Sequence, residues 1–87
     1  MSERVQVYTT VSCGYCVRAK QLLSRLSIKY DEIDVTRDHD KRDWLVGATG
    51  QRTVPQIFID GRAIGGFTEL AALERAGGLQ TLLPGGA

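Results

Sequence analysis

Between Arg4 and Thr9 the chain alternates, with Val5 and Val7 on one face, and this period of two predicts a strand. Thr10 to Ser12 is a short polar connector, and beyond it the period changes. Cys16, Ala19, Leu23 and Leu26 recur at helical spacing with Leu22 beside them, which predicts a helix over about Cys13 to Leu26. Tyr30, Ile33 and Val35, set among acidic residues, predict a second strand. Two strands joined by a helix of this length form a βαβ unit, with parallel strands and a right-handed crossover.

In the second half, Asp38 is placed to cap a helix whose buried stripe reads as Trp44, Leu45 and Ala48, with Gly50 as its stop. Gln56 to Ile59 is a short β-rich run, Asp60-Gly61 a tight-turn dipeptide, and Arg62 to Ile64 completes a hairpin. Gly65-Gly66 breaks that strand. Thr68 reads as the cap of a helix carrying Leu70, Leu73 and Ala76, and Gly77-Gly78 ends it. Leu79 to Leu83 is one short helical turn, and Pro84 to Ala87 a Gly-rich tail. The order β-α-β-α-β-β-α predicts an α/β fold, a four-stranded mixed sheet flanked by helices on both faces.

Length and composition narrow this picture. The chain has 87 residues, which suits one domain with a core over about residues 4–83. Eleven basic residues oppose ten acidic ones, so a net charge of +1 gives no electrostatic case for nucleic acid or an anionic membrane. No apolar run approaches the roughly 20 residues needed to span a bilayer. Met1-Ser2-Glu3-Arg4 has no apolar signal core, so the expected location is cytoplasmic.

The chain has two cysteines, three positions apart. A disulfide closing so short a loop contributes little stability, and in a reducing compartment a close pair is catalytic or metal-binding. A structural zinc site wants four ligands, whereas the remaining candidate here is His39, in a charged segment that suits a solvated surface residue. The catalytic reading is therefore preferred.

Cys13 opens the first helix, where free backbone N–H groups point toward its sulfur and stabilise a thiolate, with Arg18 and Lys20 adding positive potential. It is the expected attacking thiol. Cys16 lies one turn later on the buried stripe, where burial disfavours its charged form and places it to attack a mixed disulfide held on Cys13. Pro55 opens a β-rich run and leaves two readings. A cis Val54–Pro55 bond would turn the Val54 backbone outward beside Cys13, whereas a trans proline would simply start a strand. Gly65-Gly66 either admits a close backbone or ligand or is a plain turn. Thr68 either suits a carboxylate or is a plain N-cap.

Tyr8-Thr9, Cys13-Gly14-Tyr15-Cys16, Thr53-Val54-Pro55-Gln56-Ile57-Phe58-Ile59 and Gly65-Gly66-Phe67 together resemble the glutaredoxin family, as do the Arg18 to Leu23 segment and Gly77-Gly78-Leu79. The resemblance runs from about Val5 to Leu83. It implies a thioredoxin-like fold and a glutathione-dependent thiol–disulfide oxidoreductase that reduces protein disulfides and glutathione mixed disulfides. Glutathione is then the co-substrate, and no other cofactor is obligatory. The implied partners are disulfide-bearing or glutathionylated proteins, met by a monomer. The resemblance also implies a cis Val54–Pro55 bond facing Cys13. It places glutathione between the active-site helix, the Thr53-Val54 segment and the Gly66-Phe67-Thr68 turn. Val54 would bind the cysteinyl backbone, Thr68 with the amides of Phe67 and Thr68 the γ-glutamyl end, and Gln51 or Arg52 the glycyl carboxylate. Tyr15 would wall the sulfur site.

Three positions depart from the family pattern. Gly14 stands where many dithiol members have proline. Motifs without that proline occur in members that share a [2Fe–2S] cluster between two subunits, so a dimeric cluster carrier or sensor with Cys13 as ligand is the alternative function. Thr10 stands where lysine is common, which weakens glutathione carboxylate binding unless Arg52 or Lys20 compensates. Thr68 stands where aspartate is common, and a hydroxyl cannot pair with the glutathione amino group, so weaker glutathione binding is expected. These last two substitutions leave room for a further alternative, a dithiol donor that draws electrons from another low-molecular-weight thiol or from thioredoxin reductase.

Overall fold

Strand β1, Val5–Thr9, sits inside the sheet, with a strand paired on each side of it. The computed structural model describes residues 3–83; Met1, Ser2 and the expected tail from Pro84 to Ala87 lie outside the described residues. After β1 come α1 (Gly14–Arg25), β2 (Asp31–Asp34), α2 (His39–Thr49), β3 (Gln56–Ile59), β4 (Arg62–Gly65), α3 (Phe67–Arg75) and α4 (Gly78–Leu82). The sheet order is β2-β1-β3-β4. β1 and β2 run parallel, pairing Val7 with Glu32, whereas β1–β3 and β3–β4 are antiparallel. The expected mixed four-stranded sheet is therefore present.

The alternation read in β1 sorts its side chains by face. Val5 and Val7 join Ile57 and Ile59 of β3 in a core closed by Ala19, Leu22 and Leu23 of α1, Leu70 of α3, and Leu79 and Leu83 at the chain's end. Leu23 and Leu70 are fully buried, and each such side chain contributes about 1.5 to 3 kcal/mol. The opposite face carries an aromatic group: Tyr8 and Phe58 meet at 5.4 Å between ring centroids, and Trp44 of α2 stacks on Phe58 at 5.8 Å. Helices thus cover both faces, α1 and α3 on one and α2 on the other.

Several boundaries and roles differ from the expectations. Cys13 is the N-cap of α1, with extended backbone, and the helix begins at Gly14. β2 covers Asp31–Asp34, with Tyr30 just before it and the buried Val35 just after. In α2, Leu45 is buried, but Trp44 is 52 % exposed and Ala48 is exposed. The expected stripe is corrected to Leu45 with the partly buried Val46 and Thr49, because α2 meets the sheet along one narrow edge. Asp38 caps α2 as expected, its Oδ1 accepting the Lys41 N–H at 2.9 Å, and Gly50 ends the helix. α3 is not capped by Thr68. Gly66 is the N-cap, and Glu69 Oε1 reaches back to accept the Gly66 N–H at 2.8 Å, as the third helical residue does in a capping box. The Asp60-Gly61 turn has φ of 52° and 80°, the pair of positive values that a tight two-residue hairpin requires.

Candidate active site

The parallel β1–β2 pair delivers two chain ends to the same edge of the sheet, where α1 begins. The connector between β1 and α1 is tied down from β2. Thr36 Oγ1 accepts the Val11 N–H at 2.9 Å, and the Thr36 N–H is in turn held by Asp34 Oδ1 at 2.8 Å. Cys13 is thereby presented at the N-terminus of α1 with its side chain only partly covered.

Two backbone groups meet its sulfur. The Cys16 N–H, one of the amides that a helix start leaves without an intrahelical partner, donates to Cys13 Sγ at 3.0 Å. From the other side, the thiol donates to the Val54 carbonyl oxygen at 3.6 Å, across 41 positions of sequence. The Val54–Pro55 bond is cis, which settles the two readings of this proline in favour of the one that puts Val54 beside Cys13. As the thiol gives up its proton, the helix amide remains a donor aimed at the sulfur and complements the new negative charge.

Cys16 is different in kind. It is only 2 % exposed and lies on the buried stripe of α1 with Ala19, Leu22 and Leu23. Burial, and then its contact with the Cys13 thiol, pushes its thiol up to about 12, while the Thr10 backbone and Lys20 pull the other way. At neutral pH almost none of it is thiolate, so the two sulfurs have unequal readiness to attack, as their positions on the helix suggest.

Beside Cys13 lies a groove of about 550 Å³ lined by Tyr15, Gln51, Arg52, Thr53, Val54, Pro55, Gly66, Phe67, Thr68 and Glu69. All nine residues expected at a glutathione site share this one lining. The Tyr15 ring stands 6.1 Å from that of Phe67, and the Arg18 guanidinium sits 5.4 Å over the Tyr15 ring, so a cation–π contact steadies an otherwise exposed wall. Arg18 therefore acts on the wall of the groove. Of the two readings of Gly65-Gly66, the structure has the close approach. A Cβ on Gly66 would fall 3.3 Å from the Pro55 carbonyl, and one on Gly65, whose φ is +123°, would fall 2.8 Å from the Glu69 side chain.

Three groups escaped the sequence reading. Gln56 is 1 % exposed, and its amide nitrogen is well partnered: Nε2 donates to the Thr53 carbonyl at 2.9 Å and to Gln51 Oε1 at 3.1 Å, which holds the Gln51–Thr53 wall in place. A glutamine inside the apolar run of β3 was the available signal. Glu69 brings a carboxylate to the groove next to Thr68. Thr68 itself offers only a hydroxyl, as the sequence shows, and the Glu three residues after Gly66 was the pattern that could have located this neighbouring carboxylate. His39, Arg42 and Asp43 of α2 share a smaller cavity of about 140 Å³ with Arg52, Thr53 and Val54, so two guanidinium groups and one carboxylate stand at that end of the groove. His39 is exposed, as expected. Lys20, in contrast, lies away from the groove; its Nζ pairs with Glu32 Oε2 at 2.9 Å, and it cannot stand in for the missing lysine at position 10.

A shared cluster would take Cys13 as its ligand from this chain. Among the described residues, no group of three or more His, Cys, Asp or Glu is arranged to hold a metal ion.

A family model described as Glutaredoxin matches residues 5–64 of the chain. The chain is 44 % identical over 79 residues to "Glutaredoxin 3" of Escherichia coli (strain K12), covering 91 % of this chain and 95 % of that one. It is 47 % identical over 79 residues to "Glutaredoxin" of Pseudomonas aeruginosa, at 91 % and 94 % coverage. Among solved structures it is similar to a buckwheat glutaredoxin–glutathione complex, with a TM-score of 0.86, 36 % identity, and coverage of 94 % of this chain and 77 % of that one. It is also similar to the solution structure of a glutaredoxin from Brucella melitensis, with a TM-score of 0.84, 40 % identity, and coverage of 98 % and 92 %.

The inequality of the two thiols has a consequence for stability. A group whose folded value is raised above its unfolded one, here about 12 against roughly 8.5, favours the native state fully below the unfolded value. Its contribution is lost as pH rises toward the folded value. In reducing buffer, denaturant unfolding should show the wild type losing more stability between pH 8 and about pH 11 than Cys16→Ala, which has no thiol to ionise. Parallel losses in the two proteins would mean that Cys16 is not held as a neutral thiol.

Proposed function

This chain belongs to the glutaredoxin family and is a thiol–disulfide oxidoreductase, and on that premise we propose that glutathione is its co-substrate and that Cys13 is the attacking sulfur. The observation that carries the proposal is the groove. Cys13 donates to the carbonyl of Val54, and Val54 lines the one concavity that gathers Tyr15, Gln51, Arg52, Thr53, Pro55, Gly66, Phe67 and Thr68.

Glutathione is a peptide-like molecule with an apolar sulfur arm, a carboxylate at its glycyl end, and an amino group and carboxylate at its γ-glutamyl end. The groove has a matching group for each. Val54 offers backbone to the cysteinyl unit, with Tyr15 and Phe67 walling the sulfur. Arg52, with Gln51 beside it and Arg42 behind, offers positive charge to the glycyl carboxylate. The start of α3 offers backbone N–H groups and the Thr68 hydroxyl to the γ-glutamyl carboxylate, and Glu69 offers the negative charge its amino group needs.

With a glutathionylated protein, the Cys13 thiolate attacks the glutathione sulfur. The Cys13–glutathione bond forms as the protein–glutathione bond breaks, and the protein thiolate leaves and takes up a proton. A second glutathione thiolate then attacks the bound glutathione sulfur and releases glutathione disulfide, which restores Cys13. With a protein disulfide, the Cys13 thiolate attacks one protein sulfur to form a mixed disulfide, the protein's own S–S bond breaks, and the other protein sulfur leaves as a thiolate and takes up a proton. Cys16 loses its proton and attacks Cys13, the second protein thiol departs, and two electrons have passed from the Cys13–Cys16 pair to the substrate. Two glutathiones re-reduce the pair. The buried state of Cys16 suits this later role, since its attack is intramolecular and needs only a short reach from one helical turn away. A reducing glutathione pool keeps both thiols available, and this reading places the protein in the cytoplasm, acting as a monomer.

Cys13→Ser should lose turnover of both glutathione mixed disulfides and protein disulfides by at least about a thousandfold, because a hydroxyl is a far poorer nucleophile at neutral pH. Cys16→Ser should retain the first activity and lose most of the second. Coupled glutathione-reductase assays on each substrate decide this, and retention of deglutathionylation by Cys13→Ser would overturn the assignment. Glu69→Gln preserves the helix cap while removing the charge, because glutamine also closes a capping box. It should raise the KM for glutathione about tenfold with an unchanged melting temperature. An unchanged KM would remove Glu69 from the glutathione site.

A further inference from the structure

Lys20 is a basic residue of the active-site helix that does not line the glutathione groove. It lies one helical turn beyond Cys16 on α1, at the i, i+4 spacing that brings side chains together on one face. Its ammonium is not a free surface charge. Nζ donates to Glu32 Oε2 on β2 at 2.9 Å, and the same oxygen accepts the hydroxyl of Thr9, a residue of β1 only 1 % exposed, also at 2.9 Å. Two neighbouring strands thus fix the position of one helix side chain. The Lys20 side chain is 30 % exposed, so its charge is only partly screened by water. An ammonium has three N–H donors, and Glu32 takes one of them.

We infer that Lys20, anchored by Glu32 and Thr9, stabilises the negative charge that Cys16 acquires when it attacks the mixed disulfide on Cys13. The inference deepens the two-thiol mechanism proposed above and rests on it. In the step concerned, Cys16 Sγ loses its proton, the Cys16–Cys13 bond forms, the bond from Cys13 to the substrate sulfur breaks, and the departing thiolate takes up a proton. The cysteine pair is oxidised by two electrons and the substrate disulfide is reduced to two thiols. The difficulty lies at the start, because an anion must appear on a sulfur that is 2 % exposed. Two groups are placed to relieve it, the Thr10 backbone and the Lys20 ammonium, and Lys20 is the one that carries full charge.

The titratable and charged groups acting on Cys16 are Cys13 and Lys20, both of α1 or its cap. Those around Lys20 are Glu32 and Tyr30 at the β2 side, Cys16 itself, and Asp34 at the end of β2. A plain surface ion pair would hold α1 to the sheet and affect every reaction alike. A charge directed at Cys16 would affect only the step in which Cys16 ionises.

Stopped-flow reaction with an aromatic disulfide whose nitrothiolate product is yellow separates the two steps without glutathione. The first release of colour reports attack by Cys13, and the second reports attack by Cys16 on the resulting mixed disulfide. Lys20→Met should leave the first phase unchanged within about twofold. It should slow the second about tenfold at pH 7 and move that phase's pH profile upward by about one unit. Lys20→Arg, which keeps the charge and can still reach Glu32, should restore the second phase, and Cys16→Ser should lack it. Melting temperatures check that the fold is intact. Equal slowing of both phases by Lys20→Met, or no slowing of the second, would overturn the role of Lys20 while leaving the glutathione reading standing. Absence of a second phase in the wild type would instead overturn the two-thiol mechanism itself.

Discussion

The site depends on one juxtaposition, in which the Cys16 amide in the first turn of α1 and the carbonyl of Val54 close on a single sulfur from opposite sides. The two groups belong to distant parts of the chain, and neither has a reason to be there except through the rest of the fold. The amide is in place because Ala19, Leu22 and Leu23 press α1 onto Val5, Val7 and Ile57. The carbonyl is in place because β3 pairs with β1 and Gln56 pins the segment before it. Gly66 then lets the start of α3 approach the Pro55 carbonyl, which closes the far wall of the groove. Nothing at the reacting atom is unusual in chemical type. The chemistry follows from backbone groups held at fixed distance, which costs no reorganisation when charge appears.

A second consequence of the same helix is that it treats its two sulfurs differently. Cys13 caps the helix, partly exposed, and meets one donor, the Cys16 N–H, and one acceptor, the Val54 carbonyl. Cys16 is one turn further, inside the stripe that buries the helix, and its charged form is disfavoured by the same packing that stabilises the fold. One element thus presents a partly open thiol and a sheltered one from identical side chains. The Thr9–Glu32–Lys20 group fixes a charged side chain one helical turn beyond the sheltered thiol.

Much of this was legible in the sequence. The period-two run at Val5 and Val7, the helical stripe from Cys16 to Leu23, and the turn residues at Asp60-Gly61 gave the strands, helix and hairpin, because each is a local rule with one dominant solution. The groove was legible through resemblance, since the Thr53 to Ile59 segment and Gly65-Gly66 carry a pattern that single-residue reasoning leaves ambiguous. What escaped depended on contacts between distant elements. Trp44 reads as core by hydrophobicity, yet half of it is exposed because it stacks on Phe58 over an open face. Thr68 has the preferred chemistry of a cap, but the chain turns at Gly66, and Glu69 reaches back to take that role. Lys20 looked like a helper for Cys13, and only the register of β2 against β1 shows that Glu32 takes its ammonium.

The juxtaposition of Cys13 with Val54 is tested most directly by nuclear Overhauser contacts in the Cys16→Ser protein carrying one glutathione as a mixed disulfide on Cys13. The account predicts contacts from the glutathione cysteinyl unit to Val54 and Phe67 and from its γ-glutamyl end to Thr68 and Glu69. A stable adduct on Cys13 whose glutathione contacts none of these residues, or lies instead along the outer face of α1, would contradict it.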